Sequence, residues 1–377
     1  MTKTTDGNDT RGLKQRTARA RRVRRLTAAL AAVGATVVLM TGAEAAPAPT
    51  GAAAGVGHPY RHGLVPMVTP GAVSHGTVMA ACSANCLHYR GGVSGVGVTT
   101  GKEKVYLVFW GSQWGTQGTN TNGYATFTGD PQSVAPDLQA FLKGLGTGGE
   151  LWSGVMTQYC QGAAIGATTC TTAKPHVAYP TGGALAGLWE DTSVASPAQS
   201  TGHQLAVEAE HAAKHFGNTT TTLNRDAQYV IVSPTGTNPD NYQNLGFCAW
   251  HDYSGDSTLD GGGRATGPLL AFTNLPYIPD AGANCGAGFV NPGNNLDGVT
   301  IVEGHEYAET ITDQFPAGGW TANNGEENGD LCAWLTTGLG RAQDITLTTG
   351  VFAVQGTWSN RANKGAGGCA IKNAIVT

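Results

Sequence analysis

The stretch DGVTIVEGHEYAETITD, Asp297 to Asp313, decides how the rest of this chain is organised. Its apolar residues recur at the spacing of one helix face, and Asp297 is a good N-cap residue. Pro316 restricts the backbone of the residue before it, so the helix should end near Asp313. We therefore predict a helix across this stretch, carrying the polar residues of its HEYAE segment.

That segment contains an HExxE pattern, in which His305 and Glu309 are four residues apart and project from one helix face. In the similar HExxH helix of zinc hydrolases, residues at these positions hold the metal and the intervening glutamate is the general base. The pattern predicts His305 and Glu309 as metal ligands and Glu306 as the base. Glutamate at the second ligand position makes the site harder and more anionic than HExxH, and weakens its expected preference for zinc.

The first 45 residues have the features of a secretory signal peptide. Nine Lys and Arg residues precede the apolar run Leu26–Met40, and Ala43-Glu44-Ala45 is a cleavage signal. Residues 1–45 carry nine of the 22 basic and three of the 26 acidic residues, which leaves 13 basic, 23 acidic and a net charge of −10. An acidic, sparsely charged surface argues against binding to nucleic acids or anionic membranes. We expect a secreted, extracellular protein of bacterial origin, with no membrane span after signal removal.

All eight cysteines follow the cleavage site, and an even number in an exported chain predicts disulfides. No CxxC pair occurs, which argues against a zinc–thiolate site. Eight cysteines allow 105 connectivities. Proximity in sequence favours four pairs: Cys82–Cys86, Cys160–Cys170, Cys248–Cys285 and Cys332–Cys369.

Residues 46–81 are rich in Ala, Pro and Gly and show no sustained apolar period. This composition predicts a flexible leader or short pro-segment, whose histidines His58, His62 and His75 should be exposed to solvent. No charge run or Pro-rich linker interrupts residues 82–377, so we expect one domain there.

Helical and strand-like segments alternate along that domain. This alternation favours an α/β fold, a single layered domain with a mixed β-sheet covered by helices and long, disulfide-stapled loops. Two further helices are predicted at Ser133–Gly144 and Ser200–Phe216. Strands are predicted at Lys104–Trp110, Tyr229–Ser233, Phe247–Tyr253, Leu269–Leu275 and Gly350–Ser359.

Several segments, in this order, carry a family resemblance: VYLVFWG (105–111), YVIVSPTGT (229–237), GFCAWHDY (246–253), FTNLPYIPDAGANC (272–285), GHEYAETITD (304–313) and GEENGDLC (325–332). The chain resembles the EXORDIUM-like, phosphate-induced protein family of plant cell walls and its exported bacterial relatives. The resemblance spans roughly residues 105–369. It implies an extracellular protein with a zincin-like HE helix and a Cys-x-x-His element, supports the Cys248–Cys285 pair and places His251 near the same site.

Two main functions remain open on this basis, beside other hydrolases and a purely structural explanation in which His305 is a satisfied core residue and the carboxylates are solvated. A zinc hydrolase, most simply a peptidase acting on an extracellular protein or peptide, needs a third ligand, for which His251, Glu327 and Asp330 are the candidates. A non-catalytic envelope protein is the alternative. Its metal is either zinc or calcium, the latter held by Glu309, Glu326, Glu327 and Asp330. Trp320, Trp334 and Trp358 would then face a cell-wall glycan or a protein partner.

Overall fold

The computed structural model describes residues 60–68, 86–261 and 267–377, all within one compact unit, 48–377. The strands of this part are β1 (His62–Pro66), β2 (His88–Tyr89), β3 (Lys104–Trp110), β4 (Gln117–Thr119), β5 (Ala125–Phe127), β6 (Leu185–Asp191), β7 (Ala227–Val232), β8 (Phe247–Tyr253), β9 (Ala271–Leu275), β10 (Trp320–Thr321), β11 (Gln343–Leu347), β12 (Gly350–Val354), β13 (Thr357–Ser359) and β14 (Gly368–Ala370). The α-helices are α1 (Val134–Gly144), α2 (Gly202–His215), α3 (Tyr242–Leu245), α4 (Asp297–Thr312) and α5 (Ala362–Gly365). Short 3₁₀ helices cover Ser112–Trp114, Ser153–Gln158, Pro239–Asn241, Ile278–Cys285 and Asp330–Cys332.

A six-stranded mixed sheet with the order β1-β8-β9-β7-β3-β6 lies at the centre of the fold. Strands β6, β3, β7 and β9 run parallel to one another, whereas β8 pairs antiparallel with both β9 and β1. Alternate residues of β3 face opposite cores: Leu107 packs with α1 and α4, and Val108 packs with α2. Because both faces are covered, β7 is buried along its whole length. The predicted α/β class, with a mixed sheet covered by helices, is confirmed.

Helix α4 is buried at all sixteen positions, although its sequence carries several charged residues. It lies between β8 of the sheet, α1 and the β11–β12 hairpin. The Thr300 hydroxyl donates a hydrogen bond to the Ala353 carbonyl of β12 at 2.6 Å and fixes the helix against the hairpin. A buried helix with polar residues must satisfy them inside the protein. The chemistry of the fold is therefore concentrated along α4.

The ends of α4 only partly match the sequence. The helix ends at Thr312, as expected, but the residue at its N-cap is Leu296 rather than Asp297. The Asp297 carboxylate instead accepts hydrogen bonds from the backbone N–H groups of Val290 and Asn291, at 2.8 and 2.5 Å. It therefore holds the loop before the helix and does not cap the helix itself.

Three of the four predicted disulfides are present: Cys160–Cys170, Cys248–Cys285 and Cys332–Cys369. The fourth prediction, Cys82–Cys86, includes a residue outside the described part of the chain. The proposed signal peptide, residues 1–45, also lies outside it. Disulfide-stapled loops are compatible with the expected export. Within the described ranges, no helix is both long and apolar enough to cross a membrane.

The leader differs from the expectation. Residues 62–66 form β1, an edge strand of the main sheet, so ordered structure begins before Cys82. His62 is only about a quarter exposed, because its side chain lies beside Asp256. The other two leader histidines, His58 and His75, fall outside the described residues.

Two further strand predictions need correction. Gly350–Ser359 is two strands, β12 and β13, which are separated at Gln355 and Gly356. Strand β6, which the sequence did not single out, forms the edge of the sheet beside β3. Its residues are mostly half-buried, and such an edge position weakens the apolar pattern that identifies a buried strand.

The start of α1 provides a stability prediction. Ser133, the predicted N-cap, makes no capping hydrogen bond with its side chain and has a φ of 61°. Asp130 caps the helix instead, because its carboxylate accepts from the N–H groups of Val134 and Ala135 at 2.9 and 2.8 Å. Asp130→Ala should lower the free energy of unfolding by about 1–2 kcal/mol, measured by urea denaturation. Ser133→Ala is the matched control and should change it by under about 0.5 kcal/mol; equal losses would contradict this assignment.

Candidate metal centre

The structure brings together the predicted base Glu306 and five predicted ligands, His251, His305, Glu309, Glu327 and Asp330. His305, Glu306 and Glu309 lie on α4 and have no solvent exposure. Strand β8 packs against α4 and supplies His251, which is also fully buried. The remaining two, Glu327 and Asp330, come from the segment that follows β10, and the Asp330 side chain is about 16% exposed.

The first half of the cluster is formed by His305, Glu309 and Asp330. His305 Nε2 lies 3.1 Å from Glu309 Oε1 and 3.6 Å from Asp330 Oδ1. One ligand atom from each of the three residues falls within 4.8 Å of the others. Ligands of one zinc ion, bound at about 2.1 Å, are separated by roughly 3–4 Å. These three residues are therefore spaced to hold one metal ion.

Gln355 determines which nitrogen of His305 faces these carboxylates. The Gln355 amide nitrogen donates to the carbonyls of Gly329 and Gly356, at 2.8 and 3.3 Å. Its Oε1 must then be the atom that lies 3.2 Å from His305 Nδ1, so Nδ1 carries a proton and donates it. In the neutral ring Nε2 then presents a lone pair toward Glu309 and Asp330. This arrangement requires either a second proton on the ring or a metal ion.

The second half of the cluster is formed around His251. Its Nδ1 lies 3.2 Å from Glu306 Oε2 and 3.7 Å from Glu309 Oε2, and its Nε2 lies 3.6 Å from Glu327 Oε2. Glu309 therefore faces both halves, with Oε1 toward His305 and Oε2 toward His251. Its position is fixed because Oε1 accepts hydrogen bonds from the backbone N–H groups of Gly329 and Asp330, at 3.0 and 2.8 Å.

Several polar atoms of the cluster have no hydrogen-bond partner among the described residues. They are His251 Nε2, His305 Nε2, Glu306 Oε1, Glu309 Oε2 and Glu327 Oε2. The close approach of His305 Nε2 to Glu309 lacks the angle of a hydrogen bond. Buried polar groups without partners are rare, because each costs about 1–3 kcal/mol. Five such atoms lie close together, and a bound cation or added protons would satisfy them.

The pKa shifts in the cluster also indicate either added protons or a bound cation. Burial raises the pKa of Glu306 and of Glu327 well above the usual range, and raises the pKa of Glu309 to about 7. Burial alone would lower the pKa of His305, but the Glu309 carboxylate and the other acidic neighbours outweigh it and hold that pKa well above normal. Burial, and then the nearby His62, lower the pKa of His251. Burial thus favours the protonated carboxylates, whereas a divalent cation in the cluster would favour the ionised ones.

Two glycines let the backbone close over the cluster. A Cβ atom at Gly63 of β1 would overlap Glu309 Oε2 and lie 2.6 Å from the His251 ring. A Cβ atom at Gly329 would lie 2.9 Å from both Glu309 Oε1 and His305 Nδ1. Both chain segments therefore cover the cluster with backbone. Sequence reasoning missed Gly63 and Gln355, because neither residue type carries a ligand signal and both contacts depend on long-range packing.

Other candidates from the sequence lie apart from the cluster. Glu326 is partly exposed and accepts a hydrogen bond from Asn324, and no described contact links it to the cluster. The three tryptophans expected to face a glycan are buried, with exposures of 1%, 7% and 4% for Trp320, Trp334 and Trp358. Their indole N–H groups donate to Cys160, Pro66 and Asn360 within the protein. The prediction that they form a binding surface is wrong.

Comparisons with known proteins place this chain in no family. No family model, no curated protein and no solved structure matches it. The resemblance to the EXORDIUM-like family therefore stays a prediction from the sequence.

The contact of the Gly63 backbone with the cluster provides a stability prediction that can be tested in metal-free protein. Gly63 has a φ of +54°, so Gly63→Ala adds backbone strain and also a clash with buried side chains. It should lower the free energy of unfolding by roughly 3 kcal/mol, measured by urea denaturation. Gly236→Ala is the matched control, since Gly236 has a φ of +79° and open space around it; it should cost about 1 kcal/mol. Similar losses in both variants would show that β1 does not press on the cluster.

Proposed function

We propose that this chain is a secreted, metal-dependent hydrolase, with a divalent metal held by His305, Glu309 and Asp330 and with Glu306 as the general base. The observation that carries the proposal is the orientation of His305. Gln355 fixes its Nε2 lone pair toward two carboxylates in a fully buried site, where a metal ion satisfies all three groups together. The proposal assigns the third ligand, which the sequence left open, to Asp330.

The surroundings of Glu306 suit a base. Its Oε2 lies 3.2 Å from His251 Nδ1, which orients the carboxylate, and its Oε1 has no described partner and is available to take a proton. Burial raises the pKa of Glu306 well above that of an exposed glutamate, which makes the ionised carboxylate a stronger base than usual. A metal in this site would supply Lewis acidity, which makes water an effective nucleophile near neutral pH.

The donor set favours zinc over calcium. The proposed ligands include one imidazole, that of His305, beside the carboxylates of Glu309 and Asp330. Imidazole nitrogen suits zinc and similar transition metals, whereas calcium takes an all-oxygen shell. Glu326 lies outside the cluster, so one of the four carboxylates predicted for a calcium site does not reach it.

We propose peptide bonds of an extracellular protein as the substrate class, by similarity of the HExxE helix to that of zinc peptidases. Access to the cluster would be from the side of Asp330, the one partly exposed member. A cavity of about 650 Å³ lies elsewhere and is lined by residues such as Trp152, Arg341 and Lys372, none of them from the cluster.

Burial favours a second candidate function. His251, His305, Glu306 and Glu309 have no exposure, and structural metal sites are closed whereas catalytic sites keep an open position. A non-catalytic envelope protein, of the kind that the EXORDIUM-like resemblance implies, would use the metal to hold α4, β8 and the segment after β10 together. Its partner would be an extracellular protein or a cell-wall glycan.

Two variants separate these functions in zinc-loaded protein. Glu306→Gln removes the base and keeps the ligands, so peptide turnover should fall by about 10²-fold or more. The rise in Tm that zinc produces over chelated protein should be retained, because the ligands remain. Glu309→Gln should lose turnover and much of the zinc-dependent rise in Tm. Turnover is measured with a peptide library, and Tm by calorimetry with and without chelator.

Glu326→Gln is the matched control, since it removes a nearby carboxylate outside the cluster and should change neither readout. Zinc-dependent stability without turnover, with Glu306→Gln silent, would replace the hydrolase with the structural function. A Tm that is independent of zinc and of Glu309 would contradict both.

A further inference from the structure

A second group of ligand side chains lies beside β1 and shares no residue with the first cluster. It consists of His62 on β1, Asp252 near the end of β8 and Asp256 in the turn that follows. One ligand atom from each residue lies within 4.8 Å of the others. The sequence suggested no such group, because His62 lies far before the two aspartates in the chain and was expected to be exposed.

Asp252 is the residue that calls for a ligand. It is fully buried, and one of its carboxylate oxygens, Oδ1, accepts a hydrogen bond from the Tyr253 N–H at 2.7 Å. The other, Oδ2, is buried and has no hydrogen-bond partner among the described residues. A buried carboxylate oxygen without a donor is costly, whereas a cation at this place would satisfy it.

Asp256 is held in a position to share that cation. Its Oδ1 accepts from the N–H and the hydroxyl of Thr258, at 2.7 and 2.8 Å. Its Oδ2 remains and lies 3.8 Å from His62 Nε2. This distance is too long for a hydrogen bond, yet it is close to the separation of two ligands on one metal ion with bonds of about 2.1 Å.

We propose that His62, Asp252 and Asp256 form a second divalent-cation site, which takes zinc or a comparable transition metal and fastens β1 over the first cluster. One imidazole with two carboxylates suits such a metal. The side chains of His62 and Asp256 are about 26% and 13% exposed, so the ion can enter from solvent.

The position of β1 gives this site a consequence for the first cluster. Strand β1 is an edge strand, and its pairing with β8 is irregular between His62 and Pro66. Gly63, next to His62, is the residue whose backbone closes over His251 and Glu309. A metal on His62 therefore ties the closing strand to the turn at Asp256. Loss of that metal should loosen β1 and leave the ligands of the first cluster in place.

The test is the zinc content of the full chain after equilibration with zinc and removal of free metal, measured by elemental mass spectrometry. Wild-type protein should carry about two zinc ions per chain, and Asp256→Asn and Asp252→Asn should each carry about one fewer. Both changes are nearly isosteric, and the side-chain oxygen that Asp256→Asn retains can keep the Thr258 hydrogen bonds, so folding should be retained. Asp344→Asn, at an exposed position outside both clusters, is the control and should match wild type.

His305→Ala distinguishes this site from the first cluster. It should lose a different zinc ion, so that the double variant His305→Ala/Asp256→Asn binds none. If the first cluster binds no zinc and the second site does, wild-type protein carries about one zinc ion. Asp256→Asn then loses that ion, and His305→Ala keeps it. If Asp252→Asn and Asp256→Asn both keep the wild-type zinc content, the two aspartates share only a proton and the proposal is overturned.

Hydrogen exchange provides a second readout that does not depend on stoichiometry. In the presence of zinc, the amides of β1 should exchange faster in Asp256→Asn than in wild type, whereas those of α4 should be unchanged. Unchanged exchange in β1 would overturn the part of the proposal in which the metal fastens this strand.

Discussion

The rest of this structure depends on the orientation of one buried imidazole, that of His305. One of its nitrogens faces carboxylates, and the other donates a hydrogen bond to the amide oxygen of Gln355. His305 cannot turn its protonated nitrogen toward Glu309 and Asp330, because Gln355 is itself fixed by two backbone carbonyls. Inside the protein such an arrangement is stable only with an added proton or a metal ion. The burial of α4, the packing of β8 against it and the covering backbone at Gly63 and Gly329 all keep water from satisfying these groups instead.

The elements that carry the residues of the cluster are fastened by disulfides close to it. Cys248 precedes His251 by three residues on β8, and its disulfide with Cys285 ties that strand to the 3₁₀ helix Ile278–Cys285, which packs against α4. Cys332 follows Asp330 by two residues, and its disulfide with Cys369 anchors the segment that carries Asp330 to β14. These covalent links restrict the unfolded chain and hold β8 and the short 3₁₀ helix Asp330–Cys332 close to α4. The cluster thus combines one rigid helix with two stapled segments.

Local sequence patterns predicted the parts of this fold that depend on local physics. The HExxE spacing placed His305 and Glu309 on one face of α4, and apolar runs identified β3, β7 and β8. Contacts set by long-range packing could not be predicted in this way. Gln355 falls where a continuous strand was expected, and β1 lies in a composition typical of flexible leaders, although it completes the sheet. The sequence left the third ligand open between His251, Glu327 and Asp330. Only the folded chain shows that Asp330 lies beside both His305 and Glu309.

We propose that His305 Nε2 binds a metal ion rather than a proton. Anomalous X-ray diffraction from zinc-equilibrated crystals, recorded on both sides of the zinc absorption edge, tests it most directly. We expect an anomalous peak at about 2.1 Å from His305 Nε2 and within bonding distance of Glu309 and Asp330. If crystals that diffract well show no peak there, and His305 instead hydrogen bonds as an imidazolium to Glu309 and Asp330, the metal centre proposed for this chain is contradicted.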